Sequence, residues 1–262
     1  MITVVSYNVR GGIGPGPFPP AWWTRIDEAR LEGMASFVRD VAADVVCLQE
    51  VALASVDGRA VDQPALFGRL TGFDYRFGSV LAQPLVEPAP SGRVVGAYLW
   101  GNAILSRYPI TATSIHALPV TNDDDPADPV DTESRCALAC ELATPAGRLT
   151  VVTTHLAYLG RRARQPQAGR LAQVVRAATG PLVLAGDLNA PIESPELSDL
   201  RGLLVDGFAA MGVPAADARR ESCGMDRIDH VLVRGMDVLE CRVAREAGDL
   251  SDHWPVVAQL GL

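Results

Sequence analysis

The sequence predicts an α/β chain folded as one domain over residues 1–262. Three observations lead there. Apolar runs of strand length recur from residue 2 to the C-terminus, and some are separated by stripes of helical spacing. Others follow one another across turn sequences and read as hairpins. No linker divides the chain into independent units, and no segment repeats.

Residues 2–7 read as a buried strand, and GGIGPGPFPP then breaks any regular element. Thr24 is expected to cap a helix from about Arg25 to Val41, with Ile26, Met34, Phe37, Val38 and Val41 on one side. DVVCLQE, residues 44–50, reads as a short strand ending at Glu50. A polar loop and a short helix near 63–70 follow, and YLWGNAILSRYPI, residues 98–110, reads as a strand and turn. The acidic stretch TNDDDPADPVDTE, residues 121–133, is expected to be a solvated loop. Residues 134–143 and 149–156 read as antiparallel strands joined at TPAG. Leu171, Val174, Val175 and Ala178 form a helical stripe closed by Gly180 and Pro181. PLVLAGD, IDHVLV and WPVVAQL are further strands. Phe18, Trp22 and Trp23 are expected to staple their loop onto a helix, with a lipid-facing patch or stacking on a base as the alternative.

Composition narrows the function classes. Hydrophobic content of 48% and charged content of 21% are globular values. No apolar run approaches the ~20 residues of a membrane span. The chain opens on MITVVSYNV, a strand pattern without a signal-peptide pattern, so a cytoplasmic protein is expected. Cys47, Cys136, Cys140, Cys223 and Cys241 lack zinc spacing and read as reduced thiols. Cys136 and Cys140 are roughly 13 Å apart along a strand, too far to bridge. The net charge of −8 argues against a broad nucleic-acid surface. The chain has no lysine, so its 23 basic residues are all arginine. A monomer is expected.

The polar residues stand where apolar strands stop. SYNVR reaches Asn8, CLQE reaches Glu50, VVTTHL reaches His155, and LVLAGDLN reaches Asp187 and Asn189. Asp229 opens one strand, and Asp252 and His253 precede another. If these ends converge, they make a cleft of carboxylates, carboxamides and histidines. Hard oxygen donors suit Mg²⁺ or Mn²⁺ rather than zinc. His230 points to the face opposite Asp229 and reads as structural, as does His116.

SYNVRGG, LQE, GNAILSRYPI, the Arg135 strand, TTHL, GDLNA, IDHVLV and SDHWPV occur in this order between residues 6 and 256. In these motifs the chain resembles the endonuclease/exonuclease/phosphatase superfamily, which includes DNase I, exonuclease III-type nucleases, sphingomyelinases and inositol-polyphosphate 5-phosphatases. The resemblance implies a DNase I-like four-layer sandwich: two mixed β-sheets packed face to face with helices outside. It also implies a divalent-metal-dependent phosphoesterase. Glu50 matches the principal metal ligand, Asp252 a second metal-holding carboxylate, and Asn8 a residue supporting the metal or a phosphate oxygen. Asp187 and Asn189 match the pair that aligns the attacking water. His253 matches the histidine that meets a phosphate oxygen, with Asp229 orienting it, and His155 a second histidine. Arg135, Arg10 and Asn102 match substrate-side positions. Arg10 stands where abasic-site enzymes usually carry aspartate, so the resemblance favours the DNase I and sphingomyelinase-like branches.

The expected substrate is a small or lipid phosphoester, because the acidic balance opposes a long polyanion. A nuclease acting on DNA or RNA is the alternative. An inactive relative that binds a phosphorylated partner fits less well, since a candidate fills every catalytic position.

Overall fold

The computed structural model describes residues 1–121, 127 and 129–261, and backbone hydrogen bonds sort its strands into two mixed sheets. The first contains β1 (Ile2–Asn8), β2 (Val45–Val56), β3 (Arg59–Asp62), β4 (Asp74–Gly78), β5 (Gln83–Val86), β6 (Val94–Ser106), β13 (Asp237–Val243) and β14 (Val256–Gly261). Its order is β13-β14-β1-β2-β6-β4, with β3 paired to β2 and β5 to β6. The second contains β7 (Ile110–Ala117), β8 (Cys136–Thr144), β9 (Gly147–His155), β10 (Leu182–Asp187), β11 (Val205–Asp206) and β12 (Asp229–Arg234). Its order is β11-β12-β10-β9-β8-β7. Helices α1 (Glu28–Asp40), α2 (Gln63–Thr71), α3 (Arg161–Ala177), α4 (Ser198–Arg201) and α5 (Gly207–Ala210) complete the regular elements.

Strand alternation builds the layers, because successive side chains leave opposite faces. Val4, Cys47 and Ile104 of the first sheet meet Leu138, Val151 and Val183 of the second between the sheets. Val5, Leu48 and Leu105 emerge on the other face and pack beneath Leu31 and Met34 of α1 and Phe67 of α2. On the far side, Val152, Leu184 and Leu232 pack beneath Leu171, Ala172 and Val175 of α3. This is the expected four-layer α/β sandwich.

Strand direction places the polar ends together. β1 runs parallel to β2 and antiparallel to β14, while β10 runs parallel to β9 and antiparallel to β12. The C-terminal ends of β1, β9 and β10 therefore share an edge with the N-terminal ends of β12 and β14.

Several local expectations need correction. Helix α1 starts at Glu28, because Asp27 accepts the Ala29 and Arg30 N–H groups as its cap. Thr24 instead ends a 3₁₀ turn and donates to the Ala21 carbonyl. β2 continues past Glu50 to Val56 and β3 takes Arg59–Asp62, so the expected polar loop is a hairpin turning at Asp57 and Gly58. Helix α3 begins at Arg161, ahead of its predicted stripe, and carries Pro166. Trp22 packs on Tyr98 and Trp100 of β6 rather than on a helix. In the acidic stretch, Asp123, Asp124, Asp125 and Asp128 lie outside the described residues. Asp131, expected in solvent, is buried. All five cysteines are free. Among the described residues, no helix is long and apolar enough to cross a membrane.

Candidate active site

Asn8, the last residue of β1, ties the two sheets together. Its Nδ2 donates to Glu50 Oε1 at 2.9 Å and to Asp187 Oδ2 at 3.1 Å. Its Oδ1 accepts the Arg10 N–H at 3.0 Å, so this oxygen is already engaged. Asn8 thus holds Glu50 in place, where a ligand or a phosphate contact was expected.

Glu50 reaches the site through a bulge. The β2–β6 register shifts between Leu48 and Val51, and Glu50 has a φ of 55°. A left-handed non-glycine residue costs roughly 1–2 kcal/mol, and a bulge re-aims its side chain. Burial raises the Glu50 carboxyl above its ordinary range, against the Asn8 hydrogen bond.

Asp187 ends β10 with Asp229 as its register partner on one side and His155 on the other. Its Oδ1 accepts the Asn189 N–H at 2.9 Å. Its Oδ2 lies 3.4 Å from His155 Nε2 and 3.8 Å from His253 Nε2. Burial and then the Asp229 charge push Asp187 up to about 7, against His253 and the hydrogen bonds from Asn8 and Asn189. Asn189 has a φ of 50°, a conformation asparagine tolerates. Its Nδ2 donates to the Leu156 carbonyl at 2.9 Å, which fixes the amide at the cleft wall.

The two histidines differ in charge. His253 Nδ1 lies 2.8 Å from Asp229 Oδ2, which also accepts the Ser222 hydroxyl at 2.7 Å. Burial opposes a charged His253, but Asp229 outweighs it, so the imidazole sits well above its ordinary range. His155 is held well below its range by burial, Arg135 and His253. Arg135 Nη1 donates to its Nδ1 at 2.9 Å, so the neutral ring carries its proton on Nε2, facing Asp187.

Three expected substrate contacts are engaged elsewhere. Arg135 is buried at the cleft, its Nη2 pairs with Asp131 at 2.8 Å and Glu133 at 2.9 Å, and its Nη1 holds His155. Arg10 Nε pairs with Asp252 at 3.1 Å, its Nη1 donates to the Gly14 carbonyl at 2.7 Å, and its guanidinium lies over the Phe18 ring. Asn102 is buried and donates to the Cys136 carbonyl from a small recess beside Glu50 and Arg135. Asp252 likewise has partners, Arg10 and the Ser251 hydroxyl, where a ligand was expected. His230 is structural as expected, bonding the Ala190 carbonyl. Ser222 joins the site unforeseen, since no motif marks it. Asp131 and Glu133 bring the end of the acidic stretch to the cleft.

Glu50, Arg135, His155, Asp187, Asn189 and His253 floor a cleft of about 1020 Å³, lined also by Phe18, Tyr98, Trp100 and Tyr158. The donor set was tested for a divalent ion. Oxygen atoms of Asp187 and Asp229 and a nitrogen of His253 lie within 4.8 Å of one another. An ion held there would compete with the proton that Asp229 favours on His253. Glu50 is different: a desolvated carboxylate with raised proton affinity, one hydrogen bond at Oε1, and Asp187 sharing the same Asn8 amide. Such a hard oxygen donor set fits Mg²⁺ or Mn²⁺.

The sandwich and its carboxylate–histidine floor define the class: a DNase I-like fold that carries phosphoesterases and nucleases. The chain belongs to the Endonuclease/Exonuclease/phosphatase family, whose model matches residues 5–253. Among solved structures it is similar to an endonuclease/exonuclease/phosphatase from Beutenbergia cavernae, at 25% identity and a TM-score of 0.74, covering 100% of this chain and 71% of that one. The human Nocturnin catalytic domain with bound sulfate shares the fold at 17% identity and a TM-score of 0.71, covering 99% and 93%. A Bacteroides thetaiotaomicron mannosyl-6-phosphatase does so at 20% identity and a TM-score of 0.66, covering 100% of both chains. No curated protein matches the sequence at a significant level.

Proposed function

We propose that this protein hydrolyses a small or lipid phosphoester by in-line attack of water at a divalent cation. One observation carries the reading. A carboxyl pushed up to about 7 and two histidines pushed in opposite directions, His253 up and His155 down, meet on one cleft floor with the desolvated Glu50. Environments that drive neighbouring titratable groups apart mark acid–base and charge-stabilising roles.

Glu50 would hold the cation, which supplies Lewis acidity at a phosphoryl oxygen. Asp187 takes the proton of the attacking water, and Asn189 helps align that water. His253 presents Nε2–H to a nonbridging oxygen, with its charge and orientation maintained by Asp229. His155 offers a neutral Nε2–H beside Asp187. Asn8, Arg10 and Arg135 position these groups. Asp252 acts on Glu50 through charge and through Arg10.

The cleft favours substrates of low negative charge, since Glu50, Asp131, Glu133, Asp187 and Asp226 line it. A long polyanion needs cationic contacts along its backbone. The lining arginine, Arg135, is already paired with carboxylates. The test is a substrate panel with Mg²⁺ or Mn²⁺, setting simple diesters, phospholipids and sugar phosphates against plasmid and single-stranded DNA at equal phosphate concentration. Small phosphoesters should turn over faster. Full turnover in excess EDTA rejects the metal role, and a preference for DNA at low and moderate salt restores the nuclease alternative.

A further inference from the structure

The cleft has a second wall of different chemistry. Tyr98 and Trp100 alternate along β6 and line one side, beside the Glu50 bulge where Val51 pairs with Gly101. Trp22, 5% exposed, packs behind them. Its ring centroid lies 4.9 Å from Trp100 at 69° and 5.2 Å from Tyr98 at 72°, both edge-on. Phe18 stands at the mouth, 49% exposed, held between the Arg10 guanidinium and the edge of Trp100. Edge-to-face packing fixes ring orientation. The wall is therefore ordered before any ligand arrives, which lowers the entropy cost of binding.

This wall lies across the same cavity as the phosphoryl-binding floor, and it carries no charge. The floor's cations, His253 and Arg135, both face carboxylates, so little remains to balance a second phosphate. A ligand matching both halves has one phosphoryl group and one flat, uncharged ring.

We propose that Phe18, Tyr98 and Trp100 form a ring-binding subsite, so that the substrate is a phosphoester carrying a nucleobase or another aromatic ring on one arm. This rests on the phosphoesterase reading for the floor and deepens it toward the substrate. Stacking one ring on such a surface tightens binding by roughly 5- to 150-fold.

Matched ligands isolate the ring. AMP and ribose 5-phosphate share charge and phosphate and differ in the base; phenyl phosphate and methyl phosphate do the same with a simple ring. Binding of each to the whole chain with Mg²⁺ is followed by calorimetry and by tryptophan fluorescence. The ring-bearing member of each pair should bind at least 5-fold more tightly. That ratio should fall toward 1 in Trp100→Leu and, because Trp100 packs internally, also in the exposed variant Phe18→Ala. AMP alone showing the preference assigns the subsite to nucleobases; both pairs showing it assigns it to aromatic rings in general. Equal binding within both pairs overturns the subsite, and so does mannose 6-phosphate binding as tightly as AMP. If diesters are still hydrolysed in that case, the phosphoesterase reading survives on its own. If ring preference is present but no phosphoester is turned over, the floor reading fails and the subsite stands.

Discussion

Asp187 and His253 lie 3.8 Å apart, and the surroundings of each raise its proton affinity. Asp187 must be a carboxylate to accept a proton, so turnover should rise with pH through its titration. A bound cation favours the charged form, which moves that limb from about 7 to lower pH. Asp187→Asn should lower kcat by about 10²–10⁴-fold while the fold persists, as read by steady-state kinetics beside circular dichroism. Asp229→Asn removes the charge that outweighs burial at His253. The histidine should then titrate lower, a shift that ¹H–¹⁵N spectra of the ring report directly. An unmoved His253 would contradict the orienting role of Asp229.

Two local features set how the chain reaches the site. Asp27 caps α1 with hydrogen bonds to two N–H groups, and Thr24 makes none to the helix. Asp27→Ala should therefore cost about 1 kcal/mol in denaturant unfolding, while Thr24→Ala should stay within about 0.5 kcal/mol. The bulge in β2 holds Glu50 in left-handed backbone, where glycine fits without strain. Glu50→Gly should be more stable than Glu50→Ala by about 1 kcal/mol, although both remove the same carboxylate. Equal stability of the two would mean that the bulge relaxes when the side chain is gone.

Across the molecule, cation binding and protonation should be linked. Burial raises both Glu50 and Asp187, so in acid each is protonated and a cation must displace protons to bind. As pH rises through about 7, Asp187 loses its proton and its share of the competition ends. Thermal stabilisation by Mg²⁺ should accordingly be small at pH 5.5 and larger at pH 8. Glu50→Gln should remove most of that stabilisation at pH 8. A shift independent of pH in the wild type would place the ion elsewhere.

Strand cores and their polar ends were legible along the chain, because alternation and an abrupt change from apolar to polar are local properties. Asn8, Glu50, His155, Asp187 and His253 could be singled out on that ground, and the order of their motifs named the superfamily. The partners of the charged groups were not legible. Arg135 and Arg10 looked like phosphate contacts, since a guanidinium in a sequence shows its charge and hides its counter-charge. The structure sets Arg135 beside Asp131 and Glu133, and Arg10 beside Asp252. The same holds for proton affinity. Asp187 is an ordinary carboxyl in the sequence, and it moves to about 7 because folding removes its water and sets Asp229 opposite it in the β10–β12 register. The chemistry of each group is written in its side chain, whereas its charge state and its partners depend on desolvation and on distances of a few ångströms between residues far apart in the chain.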